Sequence, residues 1–260
     1  MVRFINRVGY TPAVFERFTL SDGSGVWRSS LLAGAGVEHA FTTRSHNVAS
    51  ASDVEALLTN PELFVDRGGP EVLMSKQVHG NRVSRPGDRM AEADGHVADR
   101  PHAAAAVRTA DCVPILLSVR SGHAIAAVHA GWRGLDPACG VVAAAVEALL
   151  EDAAPTTAMR RGVVAAVGPC IGAARYEVGP EVAEKFQAAH PEALSPGAGD
   201  RVHLDLRRVA RAQLRASGVA QGCIDVYPGC TYDQADEFYS YRREGPGVGH
   251  QAAVAAPRPG

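Results

Sequence analysis

The chain has 260 residues, a formal net charge of -2, 46% hydrophobic residues and 21% charged residues. That balance gives no basic footprint for nucleic acid, and no apolar run approaches the roughly 20 residues of a membrane-spanning helix. The N-terminal stretch lacks the apolar core of a secretory signal and the five cysteines follow no disulfide spacing, so a cytoplasmic protein with reduced, metal-bound or catalytic thiols is expected.

Residues 1–43 read as a short strand, a turn at Ser21-Asp22-Gly23-Ser24-Gly25, and a strand entering Phe41-Thr42-Thr43-Arg44. Ser52 to Phe64 reads as a helix with Ser52 as N-cap and Glu55 closing a capping box. Val72 to Val78 leads as a strand into His79. Three short apolar runs between Ala103 and His129 read as buried strands. Cys139 to Asp152 is helical by composition, and Gly162 to Val167 is a further buried strand that runs into Gly168-Pro169-Cys170-Ile171-Gly172. Pro180 opens a helix reaching His190. Ala193 to Asp200 reads as a surface loop. Asp205 caps a helix from Leu206 to Ser217 that Gly218 closes. Cys223 to Tyr227 is a strand, followed by a polar aromatic stretch, and Ala256 to Gly260 is Pro-rich and frayed. With no repeat and no linker, 1–260 is expected to be one domain, of α/β or α+β class.

Three residues stand out chemically. Cys112 starts one apolar run, His129 ends another, and His79 ends a third, each where the chain turns. Two imidazoles and a thiolate at strand edges are the ligand set of an open metal site. Asp111 beside Cys112 is a candidate to orient a ligand histidine or to accept a proton. The same three residues also read as a core cysteine and two strand-end histidines that share no role. Arg44, Arg133, Arg242 and Arg243 follow strand-like runs into loops, where a guanidinium grips phosphate or carboxylate, or simply meets solvent. Trp132, Tyr232, Phe238, Tyr239 and Tyr241 are candidates to stack on a planar substrate or to fill core. Cys139 and Cys223 read as core, and Cys170 as a loop thiol close to the site.

Read together, KQVHG at 76–80, ADGHV at 93–97, TADCVPILL at 109–117, AVHAGWRGL at 127–135, VGPCIGAARYEVG at 167–179, CTY at 230–232 and FYSYRRE at 238–244 resemble the YfiH/laccase-domain family. The matches run in order from about Phe41 to Gln251, and TADC with HAGWRG is the specific pair. The resemblance implies a single-domain four-layer α/β/β/α sandwich with mixed sheets. It implies zinc on His79, Cys112 and His129 and places Arg44 in the pocket; from the residues themselves, Asp111 is expected in the reacting group and Arg133 and Arg243 on the substrate. It further implies a nucleoside and phosphate as small-molecule partners. The reactions would be phosphorolysis of adenosine, inosine, guanosine and methylthioadenosine, with deamination of adenosine. A peptidoglycan-precursor editing amidase is the alternative that bacterial members suggest. The family's older name, multicopper polyphenol oxidase, suggests copper, but ten histidines with no His-x-His pair suit zinc better than several copper ions. One departure stands out: FTTR continues as Ser45-His46-Asn47-Val48-Ala49 in place of the family's GGVS, so the loop expected to cover the substrate is altered.

Overall fold

Ala103, Ala105 and Val107 belong to one apolar cluster, while Ala104 and Ala106 between them belong to another. A strand whose alternate side chains enter two separate cores is buried on both faces. The computed structural model, which describes residues 15–66, 68–88, 90–150 and 155–257, places this strand, Ala103–Thr109, inside a six-stranded sheet. The order is Phe15–Thr19, Gly25–Ser29, Glu38–Thr42, Gln251–Ala256, Ala103–Thr109, Glu71–Leu73. Only the last pair is parallel.

A second six-stranded sheet runs Ile224–Val226, Val163–Val167, Val113–Val119, Ile125–Ala130, Gly95–Ala98, Val83–Ser84. Its outer pairs are parallel and its inner ones antiparallel. The two sheets face each other across the larger cluster, which includes Phe41, Val107, Ile115 and Val128. Helices Val141–Leu150 and Leu206–Ala216 cover the far side of the second sheet, and helix Ala51–Leu58 covers the far side of the first with Val54, Leu57 and Leu58. The result is the four-layer α/β/β/α sandwich with mixed sheets. Among the described residues no helix is long and apolar enough to cross a membrane.

Several local expectations shift. The helix near residue 52 starts at Ala51 behind Ser50, and Asp53 rather than Glu55 receives the backbone N–H groups of Ser50 and Ala49, at 2.8 and 2.9 Å. It stops at Leu58 instead of Phe64, because Pro61 disfavours helical backbone at Asn60. A five-residue helix, Ser30–Gly34, adds to the expected elements. The strand ending at His79 is confined to Glu71–Leu73. Part of the expected loop after Ala193 is a strand, Leu194–Pro196, pairing with Val202–Leu204 in a small third sheet with Glu177–Val178. Cys139 precedes helix Val141–Leu150 and is only partly buried, and Cys223 ends a short 3-10 turn before its strand. Asp205 does cap its helix, accepting from the Arg208 N–H at 3.1 Å, and Gly218 closes it with φ +93°. The start of the opening strand, the last two residues of the helix expected to reach Asp152, and the Pro-rich end at 258–260 lie outside the described residues.

Candidate metal centre

The site is built on Asp94, a carboxylate with no solvent exposure at the start of strand Gly95–Ala98. A buried charge is costly unless donors surround it. Here Oδ2 accepts from the backbone N–H of Val78 (3.1 Å) and Gly80 (2.7 Å), and Oδ1 accepts from the His79 N–H (2.9 Å) and from His129 Nδ1 (2.8 Å). Burial pushes the Asp94 carboxyl up, but His129 and these amides outweigh it and hold it below its ordinary value. Three consecutive N–H groups on one carboxylate wrap residues 78–80 into a tight turn. That turn places His79 at φ +61°, a region non-glycine residues seldom adopt.

The second sheet supplies the other two side chains. Pro114 pairs with His129 across antiparallel strands, so the residue before Val113–Val119, Cys112, arrives beside the imidazole. Cys112 Sγ lies 3.8 Å from His79 Nε2, and the rings of His79 and His129 are 4.7 Å apart, nearly perpendicular. One candidate ligand atom from each of the three falls within 4.8 Å of the others. Gly131 makes room: a Cβ there would lie 2.6 Å from His79 Cδ2 and 3.1 Å from Cys112 Sγ. The Asp94 contact commits His129 Nδ1 and leaves Nε2 as the free donor atom, the arrangement that orients a metal-ligating histidine. Donor chemistry, convergence and the glycine-sized gap all fit a metal ion.

The electrostatics agree. Burial pushes the Cys112 thiol up, yet His129 and His79 overcome it and bring it down to about 6. Burial pushes His129 down, yet Cys112 and Asp94 raise it to about 9. Each group thus favours the charged form of the other, thiolate beside imidazolium.

Asp111 faces elsewhere. At φ +95°, its carboxylate accepts from Thr231 Oγ1 (2.6 Å), Ser240 Oγ (3.0 Å) and the Arg242 N–H (2.7 Å). It therefore pins the 231–242 segment over the site, and the orientation of a ligand histidine, expected of Asp111, belongs to Asp94. The arginines divide similarly. Arg243 donates to the carbonyls of Thr231, Tyr232 and Phe238 at 2.6–2.7 Å and pairs with Glu244, so its guanidinium serves the loop rather than a substrate. Arg44 lies 5.0 Å over the Tyr239 ring, donates to the Ala235 carbonyl and sits 3.7 Å from Glu244. Arg133 rests 4.6 Å over Trp132. Arg242 lies 5.0 Å over Tyr176, whose hydroxyl burial pushes up. Phe238 is core, and Tyr241 is exposed. Burial pushes the Cys170 thiol far up, which makes it inert.

Residues 33–258 match the family model described as multi-copper polyphenol oxidoreductase laccase. The chain belongs to that family. Relatives of this laccase-domain chain include a Pseudomonas aeruginosa protein named purine nucleoside phosphorylase, 37% identical over 81% of this chain and 90% of its own length. A Haemophilus influenzae protein of the same name is 32% identical over 83% and 93%. Among solved structures, a Neisseria meningitidis protein superposes with a TM-score of 0.72 at 29% identity, covering 86% of this chain and 95% of the other. YlmD from Geobacillus stearothermophilus shares the fold with a TM-score of 0.78 at 24% identity, covering 95% and 100%.

Within this laccase-domain site, sequence reasoning missed Asp94, Gly131 and Tyr176. Asp94 stands in the ADGHV string, where an aspartate entering a strand of four buried residues was the available signal. Gly131 and Tyr176 carry none without the packing around them.

Proposed function

We propose that the chain is a zinc-dependent purine nucleoside phosphorylase acting on adenosine, inosine, guanosine and methylthioadenosine, with adenosine deamination as a second activity. The carrying observation is the convergence of His79, Cys112 and His129 around Gly131, oriented by Asp94. The names of relatives sharing 32–37% identity over most of their length support the substrate class. Two imidazoles, a thiolate and an open fourth position suit zinc, which when bound would polarise a substrate oxygen or a water. Copper in the multicopper sense needs several centres, and the described residues assemble one such group.

In phosphorolysis a phosphate oxygen attacks the anomeric carbon while the purine departs. The protein's task is to hold both partners in line and to exclude water. Tyr176 lies within electrostatic reach of Cys112, Arg133 and Arg242, which gives the ligand trio a wall of aromatic and cationic side chains for sugar and base. Arg44, stacked on Tyr239, is assigned to the same wall. All five cysteines are free, in keeping with a cytosolic enzyme. The test is a nucleoside panel assayed with and without phosphate alongside metal analysis. Free base and ribose 1-phosphate should form only with phosphate, and inosine should form from adenosine without it.

A second reading is favoured by one observation. A thiol brought down to about 6 beside two imidazoles is the setting of a nucleophilic cysteine, and an amidase acting on a seryl cell-wall precursor would use it. Such an enzyme would keep its activity after chelation, whereas the phosphorylase would lose it.

A further inference from the structure

The sequence assigns the anion to Arg44, Arg133 or Arg243, yet Arg243 is spent on carbonyls and Arg44 faces Ala235, Glu244 and Tyr239. Arg108 is a different case. It sits next to the end of strand Ala103–Thr109, on the face opposite Thr109. The Gln77 side chain clasps its backbone in both directions, donating to the Arg108 carbonyl and accepting from its N–H, each at 2.8 Å. Gln77 is two residues from His79, so this clasp ties the Arg108 backbone to the segment that carries His79. The Arg108 Nε is buried and meets no acceptor among the described residues. A buried guanidinium nitrogen with no partner is a rarity that calls for a ligand.

His250 stands beside it. Ala252 pairs with Arg108 across the neighbouring strand, which puts His250 on the same face of the sheet, one pleat along. Burial, then the charges of Arg108 and His129, press the His250 imidazole below its ordinary value, which accords with the three being neighbours and leaves His250 neutral with one N–H to give. The altered loop closes over the pair. Arg108 Nη1 donates to the Ala49 carbonyl, the His250 N–H donates to Asn47 Oδ1 at 3.0 Å, and the Val48 N–H donates to the His250 carbonyl at 2.9 Å.

We infer that Arg108 and His250 form the inorganic phosphate subsite of this enzyme, with the loop 45–49 as its cover. The inference rests on the phosphorylase reading and names which residues take the second substrate. Arg108 offers a charge-assisted N–H and His250 a neutral one, a set that holds hydrogen phosphate without cancelling its nucleophilicity. The reaction balances on that anion. A phosphate oxygen bonds to C1′, the C1′–N9 bond breaks with its electron pair passing to the purine, and the proton carried by hydrogen phosphate ends on the purine.

The test uses the full-length, zinc-loaded protein, with inorganic phosphate titrated calorimetrically in the absence of nucleoside, and with steady-state kinetics on inosine. Arg108→Gln should weaken phosphate binding and raise the phosphate KM on the order of tenfold or more, the loss of one charge-assisted contact. The nucleoside KM and the zinc content should stay near native. Arg108→Lys should recover part of the binding, and His250→Gln should weaken it by roughly threefold to tenfold, as for a neutral hydrogen bond. If Arg108→Gln fails to fold or to hold zinc, the Lys and His250→Gln proteins carry the test. Phosphate affinity within about twofold of native in both of those, or in Arg108→Gln, overturns the subsite. Absence of phosphate binding by the native protein overturns it as well. Arg108-dependent phosphate binding with no nucleoside turnover would leave the subsite standing and sink the phosphorylase reading instead.

Discussion

His129 Nδ1 lies 2.8 Å from Asp94 Oδ1, and the same carboxylate gathers the three amides that turn His79 toward it. One residue thereby aims two of three ligands. Replacing Asp94 with Asn keeps the shape but removes the charge and puts an N–H where acceptors are needed. Metal affinity, measured by competition with a chromogenic chelator, should drop roughly ten- to a hundredfold. An unchanged affinity would reduce Asp94 to a purely structural brace.

Gly131→Ala places a methyl group into the space between His79 and Cys112. The cost of overpacking is about 1–3 kcal/mol, small enough for the protein to fold. The expected outcome is a folded protein that has lost most of its metal, seen by comparing thermal unfolding with metal stoichiometry. Full metal content would mean that the ligand rings move aside.

The state of Cys112 can be read by alkylation of metal-free protein. A thiol brought down to about 6 is ionised through the neutral range, so the rate of reaction with iodoacetamide should stay high as pH falls and drop only near 6. An ordinary thiol would lose reactivity below roughly 8.5. Metal loading should protect the sulfur at every pH. A transition at the ordinary thiol value would remove the thiolate–imidazolium pair.

Acid stability depends on two buried histidines outside the candidate ligand trio. His39 is fully buried, accepts the Ser29 N–H on Nε2 at 2.8 Å and faces the Val37 carbonyl through Nδ1; burial pushes it down to about 4. His96 accepts from Ser75 on Nε2, faces Ser84 through Nδ1, and burial likewise brings it to about 4. The unfolded chain binds protons at these residues from the ordinary value of 6.5 downward, while the folded protein resists until about 4. Their contribution to stability is therefore complete above 6.5 and falls as pH drops to 4, by on the order of 3 kcal/mol for each. Urea unfolding across that range should show the loss, and His39→Gln should flatten it.

Arg44 gives the last prediction. Its guanidinium already meets Ala235, Glu244 and Tyr239, and under the proposed function it is assigned to the wall that receives the nucleoside. Arg44→Ala should lower phosphorolysis and deamination together, by roughly tenfold, the worth of one contact from a charged group. Loss confined to phosphorolysis would hand the phosphate to Arg44 and away from Arg108.

How much of this is legible in the sequence follows the range over which each signal acts. The buried strands from Ala103 to Ala130 and the helix capped by Asp205 are local patterns and lie near their expected places. The convergence of His79, Cys112 and His129 is legible because turn-bounded apolar runs lead to His and Cys. Asp111 attracts the orienting role because it adjoins Cys112, but a left-handed backbone turns consecutive side chains apart, and the contact belongs to a residue fifteen positions from His79. His79 is not at the end of a strand. It is held in a turn that only the Asp94 carboxylate explains. Arg108 escapes a sequence reading because its significance lies in an unmet nitrogen, which no composition reveals.

The strand Gln251–Ala256 lies at the middle of the first sheet, between Glu38–Thr42 and Ala103–Thr109. Both neighbours leave the ribosome long before it does and must wait with bare edges, which attract unwanted partners. The segment that Asp111 anchors and the His250 imidazole arrive equally late. A nascent chain carrying all three ligands is thus still without walls, cover or central strand. Until Gln251–Ala256 pairs with both neighbours, the first sheet behind the candidate ligands is open and its two waiting edges can pair with other chains.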